Sequence, residues 1–144
     1  MYVAPVASRY GTRPPYMATI VEGLAAQRGE RVARHGAMAA NTLGVTTQVP
    51  VREVFLTSGR SCRLQFGRQT ADLRHAPPWQ LLLPGRPAGD VIRAMAWLGP
   101  QRAGEAIAAA RTRLQPSELS DVVSARPHLP AWMAKEVSSL VANG

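Results

Sequence analysis

Cysteine is nearly absent from the sequence: Cys62 is the only one in 144 residues. No intramolecular disulfide can staple the fold, and such usage fits a reducing compartment. Lysine is as scarce, with Lys135 alone near the end of the chain. A Gly-x-x-x-x-Gly-Lys phosphate loop therefore cannot occur. Two phenylalanines, three tyrosines and three tryptophans make up the aromatics, few beside 17 basic residues. That argues against recognition of single strands by base stacking. No apolar run approaches the ~20 residues that span a bilayer. The opening Met1-Tyr2-Val3-Ala4-Pro5 also lacks the basic-then-apolar layout of a signal peptide, so the expected location is the cytoplasm. The three histidines, His35, His75 and His128, are scattered and share no metal-ligand spacing with one another or with Cys62. Ser58, Asp72 and His75 lie near one another in the chain, but no nucleophile-elbow pattern surrounds the serine. They read as a turn serine and strand-end polar residues. The expectation is a protein without metal, cofactor or catalytic residues.

What the chain has is apolar content of 46% against 18% charged. That balance belongs to a globular fold, and the length suits one domain over residues 1–144. It also has positive charge: net +8, with a pI of about 11.2. The preference for arginine over lysine reads as GC-rich coding, but codon bias does not change the sign of a charge. Residues 1–80 hold ten arginines against Glu22, Glu30, Glu53 and Asp72, a net +6, and residues 81–144 carry only +2. Such a field attracts phosphate backbones or an acidic protein partner and speeds encounter with either.

Local patterns place the elements. Tyr2 to Pro5 reads as a short strand and Gly11 to Pro15 as a rigid turn, with Pro15 opening a helix. That helix runs from Tyr16 to about Gln27, with Ile20, Val21 and Leu24 on one face and Gly29 as its stop. Glu30 to Arg34 is extended. An alanine-rich helix comes next, from Gly36 to Leu43, ended by Gly44 and small enough in its side chains to pack close to a neighbour. Val51 to Thr57, with Val54, Phe55 and Leu56 apolar in succession, reads as a central strand covered on both faces. After Pro77-Pro78 the pattern turns helical. Asp90 reads as an N-cap ahead of Val91, Ile92, Met95 and Leu98. Next comes a stripe of Ala103, Ile107, Ala110 and Leu114, then a short helix capped by Ser117. Pro130 opens a last helix with Met133, Val137, Leu140 and Val141 inward. Strands first and helices after give an α+β fold: a small mixed or antiparallel sheet with a hairpin, then a helical second half.

The hairpin is the most detailed expectation. Cys62–Phe66 and Gln69–Arg74 flank Gly67-Arg68, which suits a type II′ turn. The register pairs Phe66 with Gln69, Leu64 with Ala71 and Cys62 with Leu73 on an apolar face, so Cys62 reads as a small core residue. Arg63 then faces Asp72, and Gln65 faces Thr70, on the other side. Arg52, Arg60, Arg63, Arg68 and Arg74 all lie in or beside these strands. They form either an ordinary solvated sheet face or a basic ribbon that meets nucleic acid or an acidic partner. Arg34 and His35, just before the alanine-rich helix, join Arg52, Arg63, Arg68 and Arg74 as candidate contact residues. His35 is open to two readings, a local backbone hydrogen bond or a ligand contact.

Three stretches resemble the AbiEi-type antitoxin family of abortive-infection and toxin–antitoxin operons. They are Tyr2–Pro5 with Ser8–Gly11 and Pro14-Pro15; His35-Gly36-Ala37 through Ala39–Gly44 to Thr47–Pro50; and Arg52–Gly59 with the hairpin behind it and its Leu73–Ala76 exit. A looser likeness continues from Ala94 to Gly99. The resemblance implies an antitoxin and transcriptional regulator without enzymatic activity, acting against a nucleotidyltransferase-like toxin with or without a tight complex. Family members carry an N-terminal winged helix-turn-helix that reads operator DNA. This sequence lacks one, and Tyr2 to Gly11 looks like the stretch that succeeds a wing, so weak operator recognition is expected. Two other readings stand beside it: a non-specific nucleic-acid-binding module, and a small RNA- or nucleotide-processing enzyme built on His35, Asn41 and the arginines.

Overall fold

A computed structural model describes residues 6–8, 11–13, 17–47 and 53–142. The architecture is α+β, with the strands in the first half and a helical second half. β1 (Val6–Ser8) and β2 (Gly11–Arg13) pair as an antiparallel ribbon. Part of the expected rigid turn is therefore strand, because a partner backbone within reach satisfies the amides that turn composition would leave free. The expected strand at Tyr2–Pro5 and the helix opening at Pro15 lie outside the described residues, as do Val51 and Arg52 at the start of the central strand.

α1 (Met17–Arg28) ends at Gly29, whose φ of 68° is the left-handed stop that glycine supplies. Its buried line is Met17, Val21 and Ala25, one residue every four, with Ile20 and Leu24 only half-buried beside it. β3 (Val32–Arg34) comes next, then α2 (Gly36–Thr42), β4 (Glu53–Thr57), β5 (Cys62–Phe66) and β6 (Gln69–His75). The sheet order is β3-β4-β6-β5; β4 is antiparallel to β3 and parallel to β6. β4 is central, as its apolar run predicts. Phe55 packs under α1 with Met17, Val21, Ala71 and Leu73. Leu56 points the other way, onto Ala33, Ala76 and Leu81.

The β5–β6 register is the expected one in all five pairs, from Cys62 with Leu73 to Phe66 with Gln69. Gly67 takes a φ of 61° while Arg68 stays on the ordinary side, which fits a type II′ turn. The expected burial needs correcting at the strand ends. Leu73 and Ala71 are buried and Leu64 is half-buried, but Cys62 and Phe66 are exposed. β5 is the edge strand, and the α1 cover reaches only to Leu64.

A 3-10 turn at Pro78–Leu81 leads into α3 (Pro87–Leu98), α4 (Ala103–Arg113), α5 (Pro116–Ser124) and α6 (Ala131–Ala142). Together with α2 they enclose a second core that includes Val91, Ile92, Met95, Ile107, Val122, Met133 and Val137. α2 lies against α3 closely enough that a Cβ on Gly36 would sit 2.5 Å from the Trp97 Cβ and 2.6 Å from the Arg93 carbonyl oxygen. Three helix-end expectations fail here. Asp90 does not cap α3, because Pro87 starts the helix three residues earlier and Arg86 takes the cap position. Ser117 lies inside α5 for the same reason, behind Pro116. Val141 is 52% exposed, since the inward line of α6 runs through Met133 and Val137.

Arg93 ties α3 to the segment that leads into it. It is 1% exposed, and its guanidinium donates to the carbonyl oxygens of Gln80 (3.3 Å), Leu82 (2.8 Å) and Leu83 (3.4 Å), with Asp90 Oδ1 at 3.5 Å. Gly89 makes room for it: a Cβ there would lie 2.5 Å from Arg93 Nη2. Leu83 bends through a φ of 50° to present its carbonyl, a conformation a branched side chain rarely takes. Burial raises the Asp90 carboxyl against the pull of Arg93 and Arg34. Burial lowers the Arg93 guanidinium against the pull of Asp90.

Candidate functional site

The strand register sorts the arginines of the sheet half. Residues paired across neighbouring strands share a face. Arg63 and Arg74 therefore lie on the face opposite α1, with Val54, Leu56 and Asp72. Arg63 Nε donates to Asp72 Oδ1 at 2.8 Å, the cross-strand pair expected from the register. Arg68 sits at the hairpin tip, roughly 20 Å from Arg74 along the strand at about 3.4 Å per residue. Between β5 and β6 the surface dips into a shallow, open hollow lined by Ser61, Cys62, Arg63, Asp72, Leu73 and Arg74. Arg52 lies outside the described residues.

The turn between β4 and β5 is fastened from three sides. Ser58 Oγ accepts from the Arg31 amide at 2.9 Å, and Ser61 Oγ accepts from the His75 amide at 2.8 Å. The His75 ring meets the Gly59 carbonyl at 2.9 Å. Buried Thr57 donates to Glu30 Oε2 at 3.3 Å, and its hydroxyl accepts from the Gly59 amide at 3.0 Å. A Cβ on Gly59 would stand 2.3 Å from that carboxylate oxygen, so a side chain there would displace the end of Glu30. Arg60 is thus displayed from a braced frame. Glu30 and Ser61 carry no signal in the sequence; Glu30 and Thr57 are 27 residues apart, and no short-range spacing signals their contact.

His35 is placed by the start of α2. Its Nδ1 accepts from the Ala37 amide at 3.2 Å, so of the two sequence-level readings the local backbone bond is present. Burial lowers its pKa first, and the positive charge of Arg74 lowers it further. Arg34 donates from Nη1 to Thr42 Oγ1 at 3.1 Å, and its charge acts on Asp90 and Arg93. Asn41 Nδ2 donates to the Thr46 carbonyl at 3.4 Å. His35 and Asn41 each serve local backbone, and the described residues hold no group of three His, Cys, Asp or Glu side chains placed to bind a metal.

The two halves use arginine differently. In the helical half Arg86 is paired with both Glu118 and Asp121, and Arg102 with Glu105. Arg111 bonds Ser139 at 2.7 Å, Arg126 bonds Ser138 at 3.1 Å and Arg93 is buried, which leaves Arg113 as the one exposed arginine there without a bonded partner. In the sheet half, among the described residues, Arg28, Arg31, Arg60, Arg68 and Arg74 are exposed and make no side-chain hydrogen bond or ion pair; the last three belong to the β4–β5 turn and the β5–β6 hairpin.

A family model described as a family of unknown function, DUF6088, matches residues 1–117. The chain belongs to this family. The DUF6088 match takes in the sheet and α1 to α4 and stops at the start of α5. The core of this DUF6088 member continues past it, since Val122, Met133 and Val137 are fully buried against Ile92 and its neighbours. No curated protein and no solved structure gives a significant match to the chain. No helix among the described residues is long and apolar enough to cross a membrane.

Proposed function

We propose that this chain is a non-enzymatic antitoxin and regulator domain of the AbiEi type, acting in the cytoplasm against a nucleotidyltransferase-like toxin. Its contact surface is the group of exposed arginines on the β4–β5 turn and the β5–β6 hairpin, Arg60, Arg68 and Arg74, together with Arg63 and His35. The observation that carries this is the division of the arginines. Of the six arginines of the helical half, all but Arg113 have partners inside the molecule, whereas these three reach solvent from a braced turn and a tight hairpin. A side chain held out without a partner keeps its full field for an incoming anion or acidic surface. The stretches that resemble the AbiEi family, His35–Gly44 and Arg52–Gly59 with the hairpin, overlap the elements that display these residues. The reading assigns no cofactor and no metal.

A second reading, a non-specific nucleic-acid-binding module, draws on the same arginines. Their spread over roughly 20 Å suits several phosphates better than one. Changing Arg60, Arg68 and Arg74 together to glutamine removes three charges without touching an internal bond. The triple variant should keep its circular dichroism and lose growth rescue when co-expressed with a nucleotidyltransferase-like toxin that the parent chain neutralises. A folded variant that rescues fully would move the functional surface to the helical half. If rescue never occurs in the parent chain, but duplex DNA of any sequence binds with a steep salt dependence that the variant loses, the second reading takes over.

A further inference from the structure

Among the described residues, no strand pairs with the outer edge of β5. A two-residue hairpin closes on a hydrogen-bonded pair, here Phe66 with Gln69, and such pairs then alternate along an antiparallel ladder. The backbone groups of Cys62, Leu64 and Phe66 are therefore turned inward to β6. The amides and carbonyls of Arg63 and Gln65 point out of the sheet. The same strand leaves Phe66 39% exposed and Cys62 exposed, although both stand on the apolar face. An open edge with apolar side chains beside it is a template for another strand.

We propose that β5 pairs with β5 of a second copy of this chain, antiparallel and centred on Leu64, so that two four-stranded sheets become one of eight strands. The strand is self-complementary in this register and in no neighbouring one. Arg63 faces Gln65 of the second copy on both sides of the two-fold axis, so all eight outward backbone groups are used in four hydrogen bonds. Leu64 meets Leu64 at the close, non-hydrogen-bonded position, and Cys62 meets Phe66 of the second copy, continuing the apolar face. Centring on Arg63 instead would set two guanidinium groups opposite each other, and centring on Gln65 would set Cys62 against Arg68. A two-fold contact also closes, as stable homodimers do. Pairing of one five-residue strand stays below the roughly 1,200 Å² of standard interfaces, so the dimer is weak and concentration-dependent. Each copy carries +8, so salt strengthens the association by screening repulsion, the opposite of its effect on phosphate binding.

Sedimentation of the full chain over a concentration series, at low and high salt, tests the idea. The expected result is a monomer–dimer equilibrium that shifts toward dimer with salt. Gln65→Pro should abolish it, because proline removes an outward amide while leaving the ladder to β6 intact. Phe66→Cys provides a second arm that does not depend on proline being tolerated. On oxidation it should give a covalent dimer joined between Cys62 of one copy and position 66 of the other, which the parent chain cannot form. The proposal is overturned by a parent chain that stays monomeric throughout, by a folded Gln65→Pro that still dimerises, or by a dimer in which Phe66→Cys gives no such cross-link.

Discussion

Gly36→Ala and Gly23→Ala are the same chemical change in two helices, and they should move stability in opposite directions. Gly23 lies in α1, exposed, with nothing within 4 Å of an added Cβ. Alanine there gains helix propensity and removes unfolded-chain freedom, together about 0.5–1 kcal/mol of stabilisation. Gly36 opens α2, where the added Cβ would meet the Trp97 Cβ at 2.5 Å and the Arg93 carbonyl at 2.6 Å. Neither is the loose end of a side chain; both are fixed to the backbone of α3. α2 must move outward, and with it Ala39, Ala40 and Leu43 leave a core in which they are buried. Overpacking of this kind costs about 1–3 kcal/mol, and the propensity gain at a first helical position offsets only part of it. The melting temperature should fall by about 4–10 °C for Gly36→Ala and rise by about 2–4 °C for Gly23→Ala. Urea and thermal unfolding followed by circular dichroism measure both. If Gly36→Ala proves as stable as Gly23→Ala, the close approach of α2 and α3 is wrong.

Arg93→Met should cost about 3–5 kcal/mol at neutral pH, because three carbonyls lose their donor and Asp90 its buried partner. Without Arg93 the Asp90 carboxyl rises further above its ordinary range. A raised acid gives stability that is present below the unfolded pKa and lost as pH rises. Urea titrations of Arg93→Met should therefore show a smaller loss near pH 4 than at pH 7, and an equal loss at both would refute the coupling. His35 titrates in the other sense. Burial and Arg74 hold its folded pKa below 6.5, so its contribution is complete above the unfolded pKa and drains away as pH falls through the folded one. Protonation also takes the Nδ1 lone pair that accepts from Ala37. His35→Asn, which keeps an N-cap acceptor, should match the parent at pH 8 and be the more stable of the two at pH 5; a parallel pH dependence in both proteins would sink this account.

Much of the sheet was legible because its signals are local. The alternation around Gly67-Arg68 determines which residues pair, and a two-residue turn admits one register, so Arg63 had to meet Asp72. The apolar run Val54-Phe55-Leu56 marks a strand covered on both sides, and the glycines at 29 and 44 mark helix ends through their freedom at positive φ. What each side chain meets beyond its own hairpin is a different matter. Alternation made Cys62 and Phe66 apolar-facing, but only the packing of α1, which stops short of an edge strand, left them in solvent. Asp90 had the chemistry of a cap; Pro87 began the helix first, and the carboxylate was left to the buried Arg93. The braces on the Thr57–Ser61 turn join residues up to 27 positions apart, and no spacing in the sequence announces them. For the candidate surface, the sequence by itself determined that the first half carries the excess of positive charge. Only the tertiary structure decided which arginines keep that charge for a partner, because an ion pair depends on which carboxylates the fold brings within reach.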